Sequence, residues 1–133
     1  IVLIGDGDVA GVMATAMPET GVDIYMGTGG APEGVLAAAA LRCIGGNIQG
    51  RLLFRNDDER GRAAKVGVVD LNRKYEITDL ASGDVIFAAT GVTDGNMLQG
   101  VRRTATTLST ESVAMRARTG TVRWIRMQHP IRK

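Results

Sequence analysis

The opening stretch of this 133-residue chain alternates short apolar runs closed by glycine with longer runs of helical periodicity, and that alternation is its strongest constraint on the fold. Ile1-Val2-Leu3-Ile4 is too short for a helix, rich in β-branched residues and stopped by Gly5, as a buried strand is. Val9, Val12, Met13, Ala16 and Met17 then recur at three- and four-residue steps until Pro18, which predicts an amphipathic helix of about ten residues with Asp8 placed to cap it. Residues 22–26 read as a second strand and 27–34 as a loop. The alanine-rich 35–43 reads as a second helix ended by Gly45-Gly46, and the loosely alternating 48–55 as a third strand. Strand–helix–strand–helix–strand is the sequence form of parallel βαβ units.

The remainder changes character. Residues 56–74 are charged, with a helical stretch at 57–66 and then a surface connection; 78–81 reads as a helical turn and 84–90 as a fourth strand before Gly91. Residues 111–118 and 121–128 flank Thr119-Gly120 and predict an antiparallel hairpin. The expected architecture is a single α/β domain over 1–133, a layered sandwich with a mixed sheet, parallel βαβ units at the front and the hairpin at the C-terminus. A chain this long buries roughly two thirds of its unfolded surface, enough to hold a core without staples. The single Cys43 excludes a disulfide within the chain, and with His129 as its only histidine a Cys/His zinc site is excluded too. No apolar run approaches the ~18 residues of a membrane span and no basic leader precedes the first run, so no membrane partner and a cytoplasmic location are expected. Ile1 falls inside an apolar run with neither cap nor Met before it, which reads as a segment of something longer.

The net charge of +2 hides an asymmetry: residues 1–96 carry 8 basic and 13 acidic side chains, whereas 97–133 carry 8 basic and one acidic. Thirteen of the 16 bases are arginines, the residue suited to bidentate contacts with anions. Arg102, Arg103, Arg116, Arg118, Arg123 and Arg126 raise the alternative of a nucleic-acid-binding patch. Strand alternation puts Arg116 and Arg118 on one face but sets Arg123 and Arg126 on opposite ones, and Trp124 is the only candidate stacking platform. A solvated face is the better reading, and no nucleic-acid partner is expected. The six scattered methionines read as core filler.

Two strand ends carry the unusual residues, and ligands of open α/β sheets bind beyond strand carboxyl ends. Asp6-Gly7-Asp8 offers two short carboxylates in one turn, although a turn residue followed by a helix cap explains them equally. In Gly27-Thr28-Gly29-Gly30-Ala31-Pro32-Glu33-Gly34 the glycines let backbone N–H groups approach an anion at the positive end of the next helix, where Pro32 suits the first helical position. Phosphate is the natural guest, yet Glu33 repels one a few ångströms away by roughly 4 kcal/mol at an effective dielectric of 20. A divalent cation between them reverses the sign, since Mg²⁺ or Mn²⁺ is commonly held by one or two carboxylates plus phosphate oxygens. Glu33 also reads as an ordinary first-turn glutamate. The loop lacks the Gly-Lys-Ser/Thr of a P-loop and the register of a dinucleotide site. Cys43, His129, Ser109 and Ser112 have no setting that would make them nucleophiles or bases.

Asp6-Gly7-Asp8-Val9-Ala10, Gly29-Gly30-Ala31-Pro32-Glu33-Gly34-Val35 with Arg42 after it, and Ala88-Ala89-Thr90-Gly91-Val92-Thr93-Asp94-Gly95 closely resemble, in wording and spacing, the C-terminal half of the class II fructose-1,6-bisphosphatases. The likeness runs from Ile1 to about His129 and is weakest over 56–74. It implies a metal-dependent phosphatase of gluconeogenesis, a homo-oligomer when full length, that hydrolyses the 1-phosphate of fructose 1,6-bisphosphate to fructose 6-phosphate and phosphate. In some members sedoheptulose 1,7-bisphosphate is a substrate as well. By position Glu33 matches a carboxylate ligand of the catalytic metal, Mn²⁺ or Mg²⁺. Asp6, Gly7 and Asp8 match a segment contacting the sugar phosphate, and Gly30 a substrate-contacting glycine. The family's Gly-Glu-Gly-Glu and Asp-Pro-x-Glu-Gly motifs, which carry most of its metal-binding acids, are absent from this sequence, so no catalytic residue is assigned within it and the segment alone is expected to be inactive. A non-catalytic sugar-phosphate-binding remnant is the other reading of that departure.

Overall fold

Glycine and proline set the limits of the helices. Gly7, at φ 77°, turns the chain into α1 (Asp8–Ala14), and Pro18 opens a short 3-10 turn, Pro18–Thr20, that Gly21 closes in the left-handed region. α2 (Ala31–Ile44) starts after an extended Gly30, carries Pro32 one position further in than the first helical residue, and ends at Gly45 with φ 82°. In the computed structural model, which describes residues 1–131, these are followed by α3 (Asp57–Lys65), capped by the Asn56 side chain accepting the Glu59 N–H, and the single-turn α4 (Ile77–Leu80). Six strands complete the described residues: β1 (Gln49–Arg51), β2 (Lys74–Glu76), β3 (Ile86–Thr90), β4 (Arg102–Arg103), β5 (Thr107–Arg116) and β6 (Thr121–Pro130). The molecule is α/β, with four helices and two sheets, both antiparallel.

β5 is the spine of the larger sheet. It pairs with β6 along one side and with β3 and β4 along the other, in a register that sets Phe87 opposite Met115, Ala89 opposite Val113, and Val113 opposite Trp124. Phe87, Val113 and Met115 share one face and are buried under α2, against Ala40, Cys43 and Met13. A second buried group joins Val12 of α1 to Ala37 and Leu41 of α2. The alanines matter because small side chains let α1 and the sheet approach α2 closely, so 14 residues serve two packing surfaces. The Cys43 thiol lies in this core, where burial raises its pKa.

The expected helices and the strand before Gly91 are present, although α1 is seven residues rather than about ten and α2 begins at Ala31, inside the segment expected to be loop, rather than at 35. The parallel βαβ units do not form. Residues 1–4 and 22–26 take part in no strand pairing, and apart from the half-buried Tyr25 their side chains stand in solvent, Leu3 at 92% and Met26 at 85% exposure. The physical reason is that a strand exists only against a hydrogen-bonding neighbour, and among the described residues no strand pairs with these runs. The third expected strand shortens to β1, whose partner β2 is too brief and polar to announce itself. The hairpin is longer than its sequence signal, and Arg118 lies in the four-residue turn that Gly120 closes at φ 60°, not on the strand with Arg116.

The C-terminal arginines are largely engaged. Arg116 and Arg118 both meet Asp84, Arg102 meets Asp94, and Arg126 meets Glu111. Backbone amides add to this: the Gly100 N–H donates to Asp94 at 2.9 Å and the Gln99 N–H to Glu111 at 3.0 Å. Four of the six candidate patch arginines are thus paired with carboxylates, Arg116 and Arg118 sharing one, whereas Arg103 and Arg123 enter no ion pair among the described residues. The Asp84 carboxyl is held below its ordinary range chiefly by its hydrogen bond from Arg116, and those of Asp94 and Glu111 chiefly by the Gly100 and Gln99 amides.

Two outcomes follow for stability. Leu41→Ala, at a residue with no exposed surface, lowers unfolding free energy by about 2–5 kcal/mol in denaturant titration, because its cavity lies between two helices that cannot collapse freely. Because Asp84, Asp94 and Glu111 bind protons less readily folded than unfolded, their contribution is complete above the unfolded carboxyl range near about 4 and is lost as pH falls through the lower folded-state values. Thermal melting against pH should show that loss, reduced in the Asp84→Asn protein.

Candidate functional site

α1 and α2 begin beside each other, and each brings a carboxylate to its first turn. Asp8 is the first helical residue of α1 and does not cap it; Gly7 holds the cap position and no side chain bonds the helix end. The Asp8 side chain turns instead to the segment before the glycine loop, where the Tyr25 hydroxyl donates to its Oδ1 at 2.9 Å. Glu33, at the third position of α2, accepts the Gly30 N–H at 3.0 Å, so the capping role that its position permits is realised. Its negative charge also complements the positive end of a 14-residue helix.

Between the two lies Gly29. A Cβ on Gly29 would sit 3.0 Å from Asp8 Oδ2 and 3.1 Å from Glu33 Oε2, so the two carboxylate oxygens flank one point and are within about twice that distance of each other. Only glycine leaves this gap open. Among the described residues the Gly29 and Ala31 N–H groups make no intrachain hydrogen bond and remain available to an anion at the head of α2. Two carboxylates with amides alongside suit a polyhydroxylated anion: carboxylates accept from hydroxyls, and amides donate to phosphate.

Of the residues singled out in the sequence, Asp8, Gly30 and Glu33 come together here. Gly7 contributes through its left-handed turn, which starts α1. Asp6 is exposed and enters no hydrogen bond or ion pair among the described residues. Tyr25 and Gly29 were not anticipated. Tyr25 carried a signal, being a polar-tipped aromatic in an apolar run just before the loop, but its residue type suits a strand equally well. Its phenol pKa is raised, first by the hydrogen bond to Asp8 and then by burial and the charges of Asp8 and Glu33, so the hydroxyl stays a donor. Tyr25 also lines an open groove of about 620 Å³ with Val12, Met26 and Ile48.

As a metal site the pair is partial. Among the described residues no group of three or more His, Cys, Asp or Glu side chains stands close enough to hold an ion. Two carboxylates fit one share of a Mg²⁺ or Mn²⁺ ligand set whose other members come from elsewhere.

The glpX-encoded bacterial fructose-1,6-bisphosphatase family matches residues 1–129. The chain is 39% identical to the fructose-1,6-bisphosphatase class 2 of Haemophilus influenzae over 97% of its own length and 43% of the relative's. It is 37% identical to the D-fructose 1,6-bisphosphatase class 2/sedoheptulose 1,7-bisphosphatase of Synechococcus sp. JA-3-3Ab, over 96% of this chain and 40% of that one, and equally so to its counterpart in strain JA-2-3B'a(2-13). It thus spans about two fifths of the length of these relatives, in their C-terminal portion. A match covering nearly the whole chain, through the Asp6–Asp8 turn, the glycine loop and the hairpin, assigns it: the chain belongs to the class II fructose-1,6-bisphosphatase family.

Proposed function

We propose that this chain is the C-terminal, substrate-side portion of a metal-dependent phosphatase that hydrolyses the 1-phosphate of fructose 1,6-bisphosphate to fructose 6-phosphate and phosphate in gluconeogenesis. The observation that carries the reading is the convergence of Asp8 Oδ2 and Glu33 Oε2 on the Gly29 gap at the start of two helices. The names of the Synechococcus relatives extend the substrate class to sedoheptulose 1,7-bisphosphate.

Each residue has a distinct task in this reading. Asp6 and Asp8 accept hydrogen bonds from sugar hydroxyls, Gly7 holds the turn that presents them, and Gly30 leaves room for the substrate at the helix entrance. Glu33 would hold Mn²⁺ or Mg²⁺, which when bound supplies charge neutralisation at the phosphate and activates water for attack. Without a cation, Glu33 and a phosphate ester repel, so the glutamate makes substrate binding dependent on metal.

The rest of the site belongs to the additional length that the relatives have. The exposed, unpaired apolar runs 1–4 and 22–26 support this, because their composition suits strands buried on both faces. In the full-length enzyme we take them as strands of one mixed sheet in a layered α/β sandwich forming a single domain with these 133 residues. The enzyme is cytoplasmic, in keeping with the absence, among the described residues, of any helix long and apolar enough to cross a membrane. It is a homo-oligomer, a reading that the exposed Trp124, Ile125 and Met127 on the outer strand β6 support.

Joining this chain to the N-terminal portion of the Haemophilus influenzae relative should yield phosphate release from fructose 1,6-bisphosphate that requires Mn²⁺ or Mg²⁺, whereas the 133 residues alone release none. Glu33→Gln in the joined enzyme should reduce turnover by about 100-fold or more; activity surviving that change overturns the assignment. Tight binding of the sugar bisphosphate by the 133 residues without metal would instead favour a non-catalytic sensor. Gly29→Ala places a methyl between the two carboxylates and should raise the metal concentration needed for half-maximal activity, with little change in melting temperature.

A further inference from the structure

We infer that Tyr25 is a positioning residue whose hydroxyl fixes the Asp8 carboxylate, so that Oδ1 is occupied and Oδ2 is held toward Gly29 and the sugar. This rests on the reading of Asp8 as a substrate contact.

An aspartate at the start of a helix has two easy alternatives: turning back to cap the helix amides, or rotating into solvent. Asp8 does neither. It makes no cap bond, and the Tyr25 hydroxyl, from 17 residues further along, is its one hydrogen-bond partner among the described residues. The phenol is itself held in place by two glycines. A Cβ on Gly11 would meet the ring edge at 3.1 Å, and one on Gly27 would meet the hydroxyl oxygen at 2.8 Å. The ring is therefore held with one edge against α1 and the other against the glycine loop, and its reach to Asp8 is set by backbone. Asp8 and Glu33 are the charged groups that act on it, and both favour the protonated phenol. With one oxygen engaged, the carboxylate has lost the rotation that would let Oδ2 leave the Gly29 gap, which is the preorganisation a substrate contact needs.

Tyr25→Phe keeps the clamped ring and removes the donor alone. In the joined enzyme it should raise KM for fructose 1,6-bisphosphate about tenfold, the scale of one hydrogen bond to a charged group, with kcat within about twofold. Asp8→Ala should raise KM further, and Tyr25→Phe added to Asp8→Ala should then change nothing more. Gly27→Ala, which displaces the hydroxyl without touching Asp8, should reproduce the Tyr25→Phe shift. If Asp8→Ala raises KM and Tyr25→Phe leaves it unchanged, or the two effects simply multiply, the positioning role is overturned while the substrate reading stands. Should Asp8→Ala leave KM unchanged, the substrate reading fails and the inference with it.

Discussion

The relative placement of Asp8 and Glu33 depends on the packing of one alanine-rich helix. α2 contributes to both buried groups: Ala40 and Cys43 face the sheet, while Ala37 and Leu41 face α1. A helix wedged between two layers cannot slide along its axis without opening voids on both sides, and voids in a close-packed interior are costly. Its N-terminus is thereby fixed relative to that of α1, and so are Glu33 and Asp8. The Arg42 guanidinium anchors the far end by donating to the Ala81 and Gly83 carbonyls at 2.8 and 2.7 Å. Small side chains do this better than large ones, since they bring the backbones, and with them the helix ends, into proximity.

That proximity has an electrostatic consequence. Two carboxylates flanking Gly29 repel, and the structure offsets the repulsion locally rather than avoiding it. Asp8 accepts a phenol hydrogen bond, Glu33 accepts a backbone amide, and each lies at the positive end of a helix. None of these partners is a cation. The contrast with the later part of the chain is informative, because there each of three carboxylates has an arginine beside it: Asp84 with two, Glu111 with Arg126, Asp94 with Arg102. Those carboxylates are paired with arginine, whereas the two at the glycine loop have neutral hydrogen-bond donors alone beside them among the described residues.

The site was partly legible in the sequence. Glu33 and Gly30 could be placed because a glycine loop running into Pro32 and an alanine stretch marks a helix entrance, although the helix itself was expected from 35 and begins at Ala31, and a helix start has known chemistry. Asp8 was found for the wrong local reason: a helix cap was expected, and the side chain proved to be held by a residue 17 positions away. Such a contact leaves no periodic trace, so Tyr25 stayed hidden among strand-like neighbours. The hairpin was visible because Thr119-Gly120 marks its turn, although its length depended on pairing that extends to Pro130. β2 and β4 escaped because three or two residues are too few to show alternation.

The runs at 1–4 and 22–26 are the instructive case, since the strand expectation there rests on sound physics and yet no strand is present. Hydrophobic, β-branched composition states what a segment requires of its surroundings, namely burial on both faces and a hydrogen-bonding neighbour. It does not state that these 133 residues supply them. Tyr25 sits in one of those runs and is nonetheless ordered toward Asp8 by the glycines on either side. The run is therefore already tied to α1 at its centre before any neighbouring strand is added. A strand docking alongside it would meet a segment whose register against the helix is set, and the Asp8 carboxylate would be aligned with the new sheet as that sheet formed.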